Sequence, residues 1–242
     1  MNKWTFVDSG RHLGAYNMAV DEELLAQAQV GRKMPVLRFY GWDPPAVSIG
    51  RFQKIGTAVD AEACKRLGYD IVRRITGGRA VLHNNELTYS VTAPIDDPLF
   101  PPNVLGTYKV IATGLVAGLR NLGVNAEMVS RTGQHASLVN KHDRDPSCFS
   151  SPSWYEIVVN GKKIIGSAQR RLSGAFLQHG SILISYDPAL EAVVIPGSGR
   201  GGGATCLNEI LGKSVPIEEI KNAFRNGFSQ ALDMEFHEIS SA

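Results

Sequence analysis

The chain predicts an α+β fold with mixed, mainly antiparallel sheets flanked by helices. Three observations predict it. Strand-like runs come in pairs, at 36–42 with 46–49 and at 155–159 with 163–167. The long helical periodicities, at 105–122 and from 217 onward, do not alternate regularly with single strands. No Gly-x-Gly-x-x-Gly follows a strand, which disfavours a dinucleotide-binding sheet. A length of 242 residues suits one domain spanning 1–242, with a core at about 31–215 and a C-terminal helix at 215–232.

Each element has its own warrant. Residues 4–8 read as a short first strand. Residues 16–29 place Met18, Leu25 and Ala28 on one helical face, with Asp21, Glu22 and Glu23 near the front. Residues 36–42 and 46–49 read as a strand pair around Asp43-Pro44-Pro45. Residues 61–67 give a short helix ended by Gly68. Strands at 70–74 and 79–81 flank a Thr76-Gly77-Gly78 turn. In 86–92, Leu87, Tyr89 and Val91 alternate with Thr88, Ser90 and Thr92. The 105–122 helix is apolar enough to be substantially buried, and 130–153 is a long polar loop of the kind that carries function. Asn160-Gly161 closes a hairpin between 155–159 and 163–167, and 178–185 is a further strand. The glycine-rich run at 196–204 lacks a following Gly-Lys-Ser/Thr, so it reads as a flexible connector rather than a P-loop. Ile217, Ile220, Phe224, Phe228 and Ala231 define the last helix, which Ser214 and Pro216 introduce.

Composition excludes several function classes. A net charge of +2 argues against a nucleic-acid binder. No apolar run reaches the roughly 18 residues of a membrane span. The start, Met1-Asn2-Lys3-Trp4, lacks a signal peptide's apolar stretch, so the expected compartment is the cytoplasm. Three cysteines do not make a disulfide framework, and the six histidines show no metal-ligand spacing.

The most informative stretch is Arg73-Arg74-Ile75-Thr76-Gly77-Gly78-Arg79-Ala80-Val81-Leu82-His83. Paired glycines let backbone approach a ligand, and the arginines favour an acyl-phosphate, phosphopantetheine or carboxylate partner. A polar hairpin turn is the plainer reading, but it leaves the basic character unexplained. Cys148 ends the long polar loop, where a thiol can be exposed; as a thiolate it needs a nearby positive charge. The Asn160-Gly161 turn folds Lys163 back alongside the strand leaving that loop. Cys64 and Cys206 read as core or bystander thiols, while His83 and His179 suit carbonyl polarisation or proton relay.

Five motifs in order resemble the biotin/lipoate protein ligase and octanoyltransferase superfamily. They are Asn17-Met18-Ala19-x-Asp21-Glu22, Pro45-Ala46-Val47-Ser48-Ile49-Gly50-Arg51-Phe52-Gln53, the arginine–glycine loop at 73–81, Gly161-Lys162-Lys163-Ile164-Ile165-Gly166-Ser167-Ala168-Gln169, and Gln178-His179-Gly180-Ser181. Arg79 stands where lipoate ligases usually carry a third glycine, and Glu86-Leu87-Thr88-Tyr89-Ser90 replaces an Asn-rich ligase ending. Cys148-Phe149-x-x-Pro152-Ser153-Trp154-Tyr155-Glu156 resembles the cysteine motif of the LipM-type octanoyltransferase branch.

The resemblance implies a single catalytic domain of that superfamily and a ping-pong acyl transfer in lipoate synthesis. Cys148 matches the family's acyl-thioester nucleophile, and Lys163 the lysine thought to lower its pKa and bind the acyl carbonyl. Arg73, Thr76, Gly77, Gly78, Arg79, His83, Gly166, Ser167, Ala168 and His179 match substrate-binding positions. The implied donor is octanoyl acyl carrier protein, and the acceptor a lysine of a lipoyl-domain protein such as glycine-cleavage H protein. No ATP, metal or other cofactor is expected, because thioester-to-amide transfer is downhill. An apolar slot for the tail is expected around Val81, Tyr89 and Val91. Three alternatives stay open: an octanoyl-H-protein amidotransferase, an ATP-dependent lipoate-protein ligase, and a non-catalytic acyl- or cofactor-binding protein.

Overall fold

Two sheets organise the chain. The computed structural model describes residues 2–31, 34–129, 149, 156–198 and 203–238. The larger sheet contains β1 (Asn2–His12), β2 (Val36–Trp42), β6 (Glu86–Pro94), β7 (Glu127–Met128), β8 (Ile157–Val159), β9 (Lys162–Arg171), β10 (Ala175–Leu183) and β11 (Met234–Glu238). Its order is β11-β1-β2-β6-β10-β9-β8-β7, parallel across β11-β1-β2 and antiparallel from β2 to β7. A smaller sheet holds β3 (Ala46–Ile49) between β4 (Asp70–Arg73) and β5 (Val81–His83).

The strand pair expected at 36–42 and 46–49 does not form. β2 pairs with β1 and β6, whereas β3 leaves for the small sheet. The Thr76-Gly77-Gly78 segment is likewise no hairpin turn. β4 runs parallel to β3 and β5 antiparallel to it, so the two flanking strands sit on opposite sides of β3 and the glycine segment arches over its end. Such an arch leaves carbonyls without ladder partners, which other groups must satisfy.

β6 is buried along its whole length. Leu87, Tyr89, Val91 and Ala93 enter the main core with Leu37, Phe39, Ile165 and Phe176. Helices α4 (Val104–Asn121) and α7 (Ile217–Leu232) complete that core with Ile111, Leu115, Leu119, Ile220, Phe224 and Phe228. Gly114 and Gly118 admit this packing: a methyl carbon on either would lie 2.6 or 2.5 Å from the Phe228 or Phe224 ring. The core therefore extends beyond 31–215. Trp4 of β1 and Leu232 of α7 belong to it, and β11 closes the sheet against β1.

Helix α1 (Gly14–Gln29) covers the other face. Its buried stripe is Gly14, Asn17, Met18, Asp21, Leu25 and Ala28, so two strongly polar side chains point inward. Asp21 does not act on the helix dipole, because the helix starts at Gly14 and its first turn holds no acid. Shorter helices are α2 (Ile55–Ala58), α3 (Ala61–Leu67), α5 (Pro188–Val194) and α6 (Leu207–Leu211). The described end of the glycine-rich run is not a free connector. Gly203 and Thr205 bracket Lys163 by backbone hydrogen bonds of 2.7 and 2.9 Å, and Ala204 forms a parallel bridge with it.

Candidate active site

Alternation along β6 turns Glu86, Thr88 and Ser90 away from the apolar core. Antiparallel register sets them opposite Leu183, Ser181 and His179 of β10. Directly opposed residues share a sheet face, so a buried polar surface forms beneath α1. A cavity with about 360 Å³ of atom-free space, mouth included, opens on it. Its walls come from Met18 of α1, Tyr40 and Trp42 of β2, Ser48 and Val81 of the small sheet, Arg74, and the two stretches 166–168 and 179–181.

Two chains of carboxylate, imidazole and hydroxyl line this site. In the first, Asp21 Oδ2 lies 3.0 Å from His179 Nδ1, and His179 Nε2 lies 2.7 Å from Thr76 Oγ1. Arg38 Nη1 and Ser90 Oγ donate to Asp21 Oδ1 at 2.8 and 2.9 Å, while the Tyr40 hydroxyl donates to Oδ2 at 2.9 Å. Burial alone would raise the Asp21 pKa. The His179 hydrogen bond and charge, then Arg38 and Ser90, outweigh it and hold the carboxyl below the ordinary aspartate value. An ionised carboxylate only accepts, so Nδ1 carries the His179 proton. Burial, then the Asp21 charge, pushes the Tyr40 phenol well above its usual value and keeps it a donor.

The second chain runs through His83. Glu86 Oε1 lies 3.4 Å from His83 Nδ1, and His83 Nε2 lies 2.8 Å from Ser48 Oγ. Arg74 Nη1 donates to Ser48 Oγ at 3.1 Å, and with the Nδ1 proton of His83 on Glu86 the serine's own hydrogen is directed to Nε2. Burial lowers the His83 pKa against the upward pull of Glu86, and the ring is neutral at pH 7. Glu86 is itself held by Ser181 at 2.6 Å and Thr88 at 2.7 Å. Thr88 receives Trp42 Nε1 at 2.8 Å, and the indole stacks on His83 with centroids 4.0 Å apart.

The three loop arginines divide their roles. Arg74 is buried and braces the arch, reaching the carbonyls of Ser48, Gly77 and Arg79. Arg73 Nη1 turns outward to the carbonyls of Gly50, Arg51 and Gln53 at 3.1, 3.1 and 2.7 Å. Arg73, Gly77, Gly78 and Arg79 lie off the cavity wall, and Thr76 meets it through His179. Arg73 therefore ties the 50–53 loop to the end of β4, because the carbonyls of that loop need its donors. Gly50 and Gly78 press together so closely that a methyl group on Gly50 would overlap the Gly78 carbonyl.

His83, Gly166, Ser167, Ala168 and His179 all line the cavity. Of the expected slot residues, Val81 lines it, whereas Tyr89 and Val91 face the apolar core. Tyr89 instead supports the site from behind, with its hydroxyl 2.8 Å from Ser167 Oγ. Cys148 lies outside the described residues. Its chain neighbour Phe149 is buried with Val81, Leu183, Ala204 and Cys206. Lys163 Nζ sits 5.4 Å from the Phe149 ring centroid and 2.7 Å from Glu156 Oε1, with the lysine side chain 1% exposed. Val81, shared by the cavity and the Phe149 cluster, joins this ion pair to the cavity wall.

Sequence patterning missed Asp21, Ser48, Arg74 and Glu86 as site residues. The signals were present in the inward position of Asp21 on a helical stripe and the all-polar alternate face of 86–90.

This fold and its glycine arch define a class: the chain belongs to the lipoyl protein ligase A/B catalytic domain family, whose model matches residues 14–229. Within the family it is 45% identical to octanoyltransferase LipM of Kyrpidia tusciae, over 96% of this chain and 88% of that protein. It is 40% identical to octanoyltransferase LipM of Bacillus subtilis, over 98% of this chain and 90% of that one. Among solved structures, a lipoate-protein ligase A bound with ATP matches at a TM-score of 0.80 and 26% identity, covering 100% of this chain and 90% of that chain. A bipartite lipoate protein ligase from Thermoplasma acidophilum matches at 0.77 and 25%, covering 100% and 88%.

Proposed function

We propose that the chain is an octanoyltransferase that moves an octanoyl group from acyl carrier protein to a lysine of a lipoyl-domain protein, through a thioester on Cys148. The observation that carries this reading is the buried Lys163–Glu156 pair against Phe149. Cys148 directly precedes Phe149 in the chain, and the reading gives Lys163 the role of favouring its thiolate. Relatives named octanoyltransferase LipM support the same reaction.

In the first half-reaction the Cys148 thiolate attacks the donor thioester carbonyl. The carbonyl–sulfur bond to the carrier's arm breaks, and that thiol leaves with a proton. In the second, the neutral acceptor lysine amine attacks the acyl-enzyme, the carbonyl–sulfur bond to Cys148 breaks, an amide forms, Cys148 leaves as the thiolate, and the amine's proton passes to solvent. Lys163 stabilises the carbonyl oxygen as negative charge develops. His83 and His179, each held between a carboxylate and a hydroxyl, line the slot, and Met18, Tyr40, Trp42 and Val81 supply its apolar lining. Each step exchanges a thioester for a thioester or an amide, so the reading calls for no ATP, metal or other cofactor, and it places the enzyme with its carrier proteins in the cytoplasm. Glycine-cleavage H protein is the proposed acceptor.

Intact mass after incubation with octanoyl acyl carrier protein, without ATP, tests the proposal. An octanoyl adduct that disappears in Cys148→Ser is the expected result. The likeness to an ATP-bound ligase favours a second reading, and acceptor modification that requires ATP and leaves no enzyme adduct would establish it instead. Octanoylated H protein offered as donor tests the amidotransferase alternative.

A further inference from the structure

Phe52 is 85% exposed, yet it stands on one of the most tightly tied loops of the chain. Arg73 clasps three of that loop's carbonyls. Gly50 N donates to Gln53 Oε1 at 2.9 Å, and Gln53 N returns to the Gly50 carbonyl at 3.0 Å. Arg51 N donates to the Thr76 carbonyl at 2.8 Å, tying the loop to the arch that touches His179. A rigid loop that presents a bare phenyl ring to water is pre-organised for a partner, because little ordering remains to be done on binding.

Charge indicates which partner. Arg51 and Lys54 flank the ring and are exposed, and the Arg51 guanidinium lies 5.4 Å from its centroid. The segments 44–59 and 71–85 carry Arg51, Lys54, Arg73 and Arg79 toward the surface, with Arg74 buried, and are flanked by Asp43, Asp60, Asp70 and the buried Glu86. Against a whole-chain charge of only +2, the exposed Arg51, Lys54 and Arg73 make this loop locally basic. An aromatic anchor with an arginine beside it is the composition of an interface centre, and the cationic rim selects an acidic surface.

We propose that the loop at 51–54 is the docking point for the acidic carrier protein that delivers the acyl group, with Phe52 as the apolar anchor and Arg51 and Lys54 as its charged rim. Geometry favours the donor over the acceptor. The loop stands off the cavity wall and meets it through Arg51 N to the Thr76 carbonyl and Thr76 Oγ1 to His179, an offset that suits a donor delivered on a long prosthetic arm. A lysine side chain on the acceptor's own backbone is short, so that protein must sit over the mouth itself. The proposal rests on the transferase reading and assigns its first half-reaction a protein contact.

The test measures acyl-enzyme formation by intact mass for the wild type, Phe52→Ala and Lys54→Glu. Two donors are compared: octanoyl acyl carrier protein and octanoyl-pantetheine, which has the thioester arm but no protein. We expect KM for the carrier to rise about tenfold in both variants, with the small donor unchanged within about twofold. The salt dependence of the carrier reaction should flatten in Lys54→Glu. An unchanged KM for the carrier in both variants overturns the proposal. So does an equal loss with both donors, which makes the loop part of the slot, or a defect confined to transfer onto the lipoyl domain. Wild-type enzyme that neither donor acylates removes the transferase reading itself.

Discussion

Asp21→Asn isolates the buried charge on which the first histidine chain depends. The side chain is 1% exposed, keeps its volume in the variant, and loses the charge that faces the fully buried Arg38. Four donors converge on the carboxylate: Arg38, Ser90, Tyr40 and His179. An amide offers one acceptor oxygen, so Oδ1 can keep Arg38 and Ser90 while the new NH2 faces Tyr40 and His179. The phenol can turn to accept, and His179 must shift its proton to Nε2, reversing its hydrogen bond with Thr76. Removing one partner of a buried ion pair costs about 3–5 kcal/mol. Retained volume and two retained bonds put the substitution near the low end, at about 3 kcal/mol. In a domain of this size that corresponds to a fall in Tm of roughly 6–12 °C. Because the native pKa of Asp21 lies below its ordinary value of 3.8, the charge contributes fully above that value, and the contribution is lost as pH falls through the native pKa. The difference in stability between wild type and variant is thus flat from pH 5 to 8 and narrows below about pH 4. Thermal unfolding across pH measures it, and the double variant Asp21→Asn/Arg38→Met should recover much of the loss. A Tm within 2 °C of wild type at pH 7, or strict additivity in the double variant, would refute the reasoning.

Other substitutions read other parts of the site. Lys163→Ala should raise the Cys148 pKa, seen as an alkylation–pH profile moved to higher pH; an unmoved profile removes its thiolate-stabilising role. Glu156→Gln leaves Lys163 buried without its carboxylate, and should cost about 2–4 kcal/mol in urea unfolding while Glu156→Asp recovers part of it. His83→Gln should flatten the pH dependence of stability below about pH 6.5: the buried ring resists protonation, so its stabilising contribution is present above its unfolded pKa and declines as pH falls below it. Unfolding curves at pH 5 and 7.5 that differ as much in the variant as in the wild type would contradict this. Gly50→Ala should lower Tm and acyl transfer together, because the methyl group must push the Gly78 carbonyl and with it the arch.

Much of the architecture was legible because it rests on local signals. Asn160-Gly161 marked its hairpin, Gly68 its helix end, and the period-2 run from Leu87 to Thr92 its strand. Pairing was less legible. Residues 36–42 and 46–49 look like a hairpin since nothing local records that β3 finds partners at 70–73 and 81–83 instead. The site followed the same division. His83, His179 and the 166–168 stretch, singled out from the sequence, all lie on the cavity wall. Asp21 reads from the sequence as an acid near the front of its helix, and nothing local records that His179, Arg38, Ser90 and Tyr40 converge on it and make its burial tolerable. Arg73 and Arg74 were indistinguishable as neighbours. Alternation sends one outward to a loop and the other inward to Ser48, and that direction depends on where β4 ends.

The two unlike faces of β6 also bear on how the protein folds. A slip of one residue in its pairing would carry Leu87, Tyr89 and Val91 into the polar cavity and drive Glu86, Thr88 and Ser90 into the hydrocarbon beneath α4 and α7. Neither side could tolerate the exchange. The hydrogen-bonding groups that equip the site therefore act as a proofreading device for the sheet, and a chain that has paired its central strands correctly has, in the same event, assembled its pocket.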